Sequence, residues 1–202
     1  MAPTELPLFP LQAVLFPGGL LGLRVFEARY LDLMASCLRN RTRFGVVALK
    51  TGGEVRRTGQ SVAFESVGTE VELLEVDSAE AGILSVRGRG VERFRIESSR
   101  QQTDGLWLAT TTSIEADDQV APPQAFSGAA RGLSDAIVAL GSTGSQPFLE
   151  PHRFDDAGWV ANRWCEILPI THAARQKLME LGDPLARLEI IDDYLRKKGI
   201  VP

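Results

Sequence analysis

Apolar residues crowd the opening of this chain and are spaced out by charge afterwards. Leu6–Tyr30 reads LPLFPLQAVLFPGGLLGLRVFEARY and carries no charge before Arg24. Pro7, Pro10 and Pro17 each fix φ and lack a backbone donor, which argues against a continuous helix or a central strand. Two extended pieces, Leu6–Phe16 and Leu20–Val25, joined by a Pro-Gly-Gly turn, fit the pattern better. From Glu27 to Leu38 the spacing of Tyr30, Leu31, Met34 and Leu38 predicts an amphipathic helix. Arg43–Leu49 is apolar and β-branched and predicts a buried strand. The polar run Glu54–Gln60 predicts a mobile loop. Gly68–Val76 alternates as a strand, Ile83–Val86 and Val91–Ile96 predict two short strands around Gly88 and Gly90, and Leu106–Ile114 predicts a last one. Six or seven short strands with turn residues between them predict a compact barrel or sandwich, with a single inserted helix.

The period then changes. Glu115–Gln124 is acidic and proline-bearing and predicts a surface crossing. Phe126, Ala129, Ala130, Leu133, Ile137 and Leu140 share a helical face, and Gly141 is a natural stop. Asp155 and Asp156 can cap a helix whose face is Ala157, Val160, Ala161, Trp164 and Leu168. Thr171 starts a shorter helix. Gly182-Asp183-Pro184 supplies stop, cap and first position for a last one, with Leu185, Leu188, Ile191 and Leu195 inward. The predicted class is α+β in two lobes, a β-rich lobe over 1–116 and a helical bundle over 117–202.

Charge narrows the functions. With a net charge of −4 and 22 Lys and Arg among 202 residues, the chain is poorly matched to nucleic acid, whose binders neutralise phosphates with basic side chains. The arginines are clustered, however, notably Arg56 and Arg57, and Arg87, Arg89, Arg93 and Arg95. The second cluster alternates with Val91, Phe94 and Ile96, so its guanidinium groups are expected on the outer face of a hairpin. Ion pairing to the Glu-rich strand at Glu70, Glu72 and Glu75 accounts for them, and a binding role stays open. No apolar run is long enough to span a membrane, and no signal peptide is expected at the N-terminus. Cys37 and Cys165 are expected as buried thiols of a reducing cytoplasm.

Chemistry is thin. There is no P-loop, no nucleophile elbow and no Cys-x-x-Cys, and Gly88-x-Gly90 lacks the third glycine of a dinucleotide site. His152 in a proline-flanked loop and His172 in a first helical turn have no evident catalytic partner. Asp192 and Asp193 are expected on an outer helix face. Trp107, Trp159 and Trp164 are expected as packing residues. No catalytic residue, cofactor site or metal site is expected.

The opening run, then RFGVVAL over 43–49, VGTEVELLEV over 67–76 and VRGRGVERFRI over 86–96, resembles in that order the N-terminal domain of Lon-type ATP-dependent proteases. ARQKLMELGDPLARLEIIDDYL over 174–195 is similar to the helical end of that domain. The resemblance implies a PUA-like pseudo-barrel followed by a helical bundle, and a domain that recognises protein substrates and supports assembly without catalysis. The chain ends at Pro202 with neither the ATPase nor the Ser-Lys peptidase module, so a free-standing, cytoplasmic bacterial member is expected. The cereblon family shares the domain, but its drug-binding module needs a Cys-bound zinc that this chain does not supply.

The leading expectation is therefore a non-catalytic module binding proteins or unfolded polypeptides, with self-association open. The alternative is RNA binding, which PUA-like barrels elsewhere perform; an enzyme built from dispersed residues is third. The candidate partner-binding residues are Phe16, Phe26, Tyr30, Arg87, Arg89, Arg93 and Arg95. Within the opening run, Arg24, Glu27 and Arg29 are expected to form an internal ion-pairing set, since charge beside apolar sequence needs a partner.

Overall fold

The computed structural model of the protein describes residues 5–54 and 61–202; the polar loop predicted after Glu54, with Arg56 and Arg57, lies outside them. The chain divides into two compact units, one ending at Glu115 and the other running from Ala116 to Pro202.

The first unit contains β1 (Glu5–Leu11), β2 (Leu20–Val25), α1 (Ala28–Asn40), β3 (Phe44–Thr51), β4 (Ala63–Phe64), β5 (Val67–Glu80), β6 (Ile83–Gln101) and β7 (Trp107–Ser113). Strands run β1-β7-β6-β5-β3 and close into a ring because β3 also pairs with β1. That closing pair is parallel, with Leu8 opposite Gly45 and Leu11 opposite Ala48; the other pairs are antiparallel. It is a closed ring of sheet rather than a clean barrel: β2 lies outside the ring, on β6, and the short β4 attaches to the end of β3.

β1 carries two prolines yet has neighbours on both sides. The resolution lies in a change of partner at Leu8. Residues 5–8 pair with β7 and residues 8–11 with β3, so Pro7 and Pro10 each sit where the strand is paired along one edge only. That is the condition under which a sheet tolerates a residue without a donor. The extended segment ends at Leu11, earlier than Phe16, because residues 12–19 turn away to dock on β6. There Gly18 donates to the Gly90 carbonyl at 2.8 Å and Gly90 donates to Gly19 at 2.9 Å.

The two short strands expected around Gly88 and Gly90 are one, β6. Its glycines mark close approaches rather than turns. A Cβ on Gly88 would meet Val71 Cγ1 at 2.5 Å, and one on Gly90 would meet the Phe16 carbonyl oxygen at 2.4 Å. β5 and β6 bend through three register shifts, as long twisted strands must to close a ring. One core cluster gathers Leu6, Leu8, Val47, Phe94 and Ala109. α1 covers a second core with Tyr30, Leu33, Met34 and Cys37 against Phe9, Phe44, Val46 and Val71. Leu38, expected on that face, is instead exposed.

The second unit contains a 3-10 turn (Gln124–Phe126) and α2 (Ser127–Ser142), α3 (Ala157–Ile167), α4 (His172–Glu180) and α5 (Pro184–Lys197). α2 runs one residue past Gly141. The caps follow local chemistry: Asp156 accepts from the Gly158 and Trp159 N–H groups, Thr171 from Ala174, and Asp183 from Leu185 and Ala186. α3 is the centre, with every residue from Ala157 to Cys165 buried. Trp164 Nε1 donates to the Ala129 carbonyl on α2 at 2.9 Å.

A buried arginine ties this unit together. Arg187 Nη1 reaches Asp117 Oδ2 at 2.6 Å and Asn162 Oδ1 at 3.0 Å, Nε donates to the Leu178 carbonyl at 2.8 Å, and Nη2 donates to that of Leu181. One side chain of α5 thus joins the entering segment, α3 and the end of α4. Asp192, expected on an outer face, is buried, because Arg196 turns back to it with Nε 2.6 Å from Oδ2. No helix among the described residues is long and apolar enough to cross a membrane.

Candidate functional site

The first unit holds a cavity of about 380 Å³ between the end of β1, the length of β2 and the start of α1. Its walls follow from alternation along β2. Leu21, Leu23 and Val25 turn toward the body of the unit while Gly22 and Arg24 turn outward. Phe9 and Leu11 form the facing wall, Tyr30 lies beneath, and Phe26, 53 % exposed, stands at the mouth. Phe26 is exposed because it occupies the step between β2 and α1, where neither pleat nor helix face turns it inward.

Tyr30 is held on both ring faces. Phe9 stacks on it with centroids 3.9 Å apart, and the Arg29 guanidinium lies 4.6 Å from the ring centroid. Arg29 is buried and committed: Nη1 donates to the Gly105 carbonyl at 2.9 Å and Nη2 meets Glu27 Oε2 at 2.8 Å. Burial pushes the Tyr30 phenol up to about 12; Arg29 opposes this, and Glu27 and Glu54 reinforce it. The phenol therefore keeps its proton at ordinary pH. Its hydroxyl bonds to no described residue, and a phenol can both donate and accept. Glu54, at the rim, accepts the Gln12 N–H at 2.6 Å.

The ion-pairing set expected within the opening run is only partly internal. Glu27 and Arg29 pair, but Arg24 turns outward with its strand and meets Glu80 at 3.0 Å, both side chains well exposed.

The candidate residues do not all gather here. Phe26 and Tyr30 line the cavity. Phe16 is fully enclosed in the loop that docks on β6 and offers no surface. Arg87 and Arg89 lie on the outer face of β6, matched to Glu75 at 3.2 Å and Glu72 at 2.6 Å on β5. The cross-strand neutralisation expected of this hairpin is thus present at these two positions. Arg93, expected outside with them, is 3 % exposed, because the segment leaving β7 folds over it. Ile114 donates to its carbonyl and its Nη2 donates to that of Glu115. Arg95 is exposed on β6. The four arginines therefore form no single basic patch.

Cavity residues that the sequence did not single out include Phe9, Leu11, Leu21, Gly22, Leu23 and Glu54. Alternation in Leu21–Val25 was visible; that the strand would lie outside the ring, with a space beside it, was not.

No cluster of metal-ligating side chains occurs among the described residues. His152 packs against Phe154 and Trp159, and His172 opens α4 in solvent. Both cysteines are buried and free, and burial pushes their thiols up, Cys165 to about 12. Such thiols stay protonated and are poor nucleophiles. What the site can do is enclose an apolar group and meet one or two polar atoms.

Comparison with known proteins agrees with this architecture. The family model for the ATP-dependent protease La (LON) substrate-binding domain matches residues 5–197. The crystal structure of a Lon N-terminal domain protein from Xanthomonas campestris superposes with a TM-score of 0.72 at 34 % identity, over 93 % of this chain and 96 % of that one. The N-terminal domain of a Mycobacterium avium complex Lon protease gives 0.65 at 14 % identity, over 95 % and 97 %, a likeness of fold alone. Among curated proteins, none matches in sequence.

Proposed function

The chain belongs to the ATP-dependent protease La (LON) substrate-binding domain family, and from that premise we propose that it binds extended or unfolded polypeptide without acting on it chemically. The observation that carries this reading is the cavity under Phe26. It is apolar on its walls, large enough for one or two bulky side chains, and rimmed by an aromatic residue left 53 % exposed. An aromatic anchor beside a desolvated pocket is the usual form of a binding hot spot, and exposed apolar surface on a folded unit marks interaction sites. The matching of Arg87 and Arg89 by glutamates removes the main support for RNA as the ligand. Work on cytoplasmic client chains completes the reading.

Binding to a permanently unfolded model, reduced and carboxymethylated lactalbumin, tests it by fluorescence anisotropy. Saturable binding is expected, weakened about tenfold or more by Phe26→Ser, the loss typical of a hot-spot side chain. Absence of binding, or affinity indifferent to Phe26, overturns the reading.

A further inference from the structure

Among the described residues, the cavity has one strand edge without a partner and one charge without a counter-ion. β2 pairs with β6 from Leu20 to Val25 and with no other strand among the described residues. Across the cavity, β1 from Phe9 to Leu11 pairs with β3 alone. An unpaired edge presents N–H and C=O groups at the strand repeat, which an extended peptide can satisfy.

Gly22 sits in the middle of that edge. Nothing lies within 4 Å of where its Cβ would be, and its φ is not positive, so neither packing nor backbone geometry requires glycine. A strand glycine without such a cause suits a place where a second backbone comes close.

Three charged side chains line the cavity, Arg24, Glu27 and Glu54. Arg24 is matched by Glu80 at 3.0 Å and Glu27 by Arg29 at 2.8 Å. Glu54 has no basic partner among the described residues; it accepts only the Gln12 N–H. Close by, Tyr30 is 3 % exposed, lines the cavity, and leaves its hydroxyl unbonded to any described residue. A carboxylate and a phenol that line one apolar pocket complement an ammonium or guanidinium.

Resting on the polypeptide-binding reading above, we propose that the cavity selects an extended segment carrying a bulky apolar side chain and, two positions along, a lysine or arginine. The main chain lies along β2. The apolar group enters between Phe9, Leu23 and Phe26, and the cation meets Glu54 and the Tyr30 hydroxyl. The two-residue spacing follows from the pleat, since only alternate side chains of an extended chain share a face.

Fluorescein-labelled Gly-Ser peptides with a central Leu-Ser-Lys, Leu-Ser-Gln, Leu-Ser-Glu or Leu-Lys-Ser test this by anisotropy titration. Leu-Ser-Lys is expected to bind about tenfold more tightly than Leu-Ser-Glu, the scale of one charge-assisted contact, and more tightly than Leu-Lys-Ser. Glu54→Gln retains an oxygen for the Gln12 N–H and so keeps the fold; it is expected to shrink the Lys-to-Glu ratio to within about twofold. Equal binding of all four peptides overturns the selection while leaving polypeptide binding intact. A preference that survives Glu54→Gln overturns the assignment to this carboxylate. If neither the peptides nor the unfolded protein bind, the reading beneath falls as well.

Discussion

Phe9 and Tyr30 stack with ring centroids 3.9 Å apart and planes 13° from parallel, a contact that fixes the start of α1 to the half of β1 that pairs with β3. It is both a core contact and the floor of the cavity. Tyr30→Ala is expected to cost about 3–5 kcal/mol, the range for removing a large buried aromatic. Tyr30→Phe keeps the stack and loses only an unbonded hydroxyl, so it is expected to cost under about 1 kcal/mol. Urea unfolding of the two variants separates packing from hydroxyl.

Wild type and Tyr30→Phe together report the phenol. Burial places Tyr30 at about 12, above the ordinary tyrosine value of 10.0. Its protonated form is thus favoured by folding, a contribution present below pH 10 and lost as pH rises toward 12. The difference in ultraviolet absorbance between wild type and Tyr30→Phe is expected to titrate near 12. A midpoint near 10 would mean that the ring is not desolvated as described.

Two glycines are expected to behave oppositely. A Cβ on Gly68 would stand 2.3 Å from the Val46 carbonyl oxygen and 2.7 Å from Phe94 Cζ. The backbone atom cannot step aside, so Gly68→Ala is expected to cost about 3 kcal/mol or more, at the upper end of overpacking effects. Gly22→Ala meets nothing and is expected to be neutral or stabilising by up to about 1 kcal/mol through the unfolded chain. Thermal unfolding of both measures the contrast.

What was legible in the sequence was what local chemistry decides. Asp156, Thr171 and the Gly182-Asp183-Pro184 run mark helix starts because a cap needs only residues within a turn of itself. Apolar spacing likewise exposed the inward faces of α3 and α5. Pairing over long separations was not legible. Nothing local shows that β1 changes partner at Leu8, that β2 stays outside the ring, or that Gly88 and Gly90 lie inside one strand. The cavity depends on all of these, which is why Phe26 and Tyr30 could be named but the wall from Leu21 to Val25 could not. Arg93 and Asp192 failed similarly: alternation puts a side chain on a face, and only the tertiary path decides whether another segment covers it.

Arg187 makes the second unit dependent on one guanidinium. Its donors satisfy Asp117, Asn162 and the carbonyls of Leu178 and Leu181. Arg187→Met fills similar space but leaves these acceptors buried and unmatched, and is expected to cost about 3–5 kcal/mol. Arg187→Lys is expected to recover little, because one ammonium cannot span acceptors arranged around a planar fork. Hydrogen exchange is expected to show the loss in α3 to α5.

Glu166 gives the second unit a dependence on pH. Its carboxyl is pushed from 4.5 up to about 7 by burial, against the pull of Arg163 and Arg175, although Arg163 Nη2 stands 2.8 Å away. Folding therefore favours the protonated form. A raised acid contributes stability that is complete below its unfolded value and disappears as pH rises through its folded value, here from about 4.5 to about 7. Glu166→Gln removes the titration while keeping shape and an acceptor for Arg163. Across that window the unfolding temperature of wild type is expected to fall relative to the variant, and above it the two curves are expected to run parallel. A wild type that instead gains on the variant as pH rises would show the carboxylate ionised and held by Arg163. Scanning calorimetry from acid to neutral pH distinguishes the two by the sign of that slope.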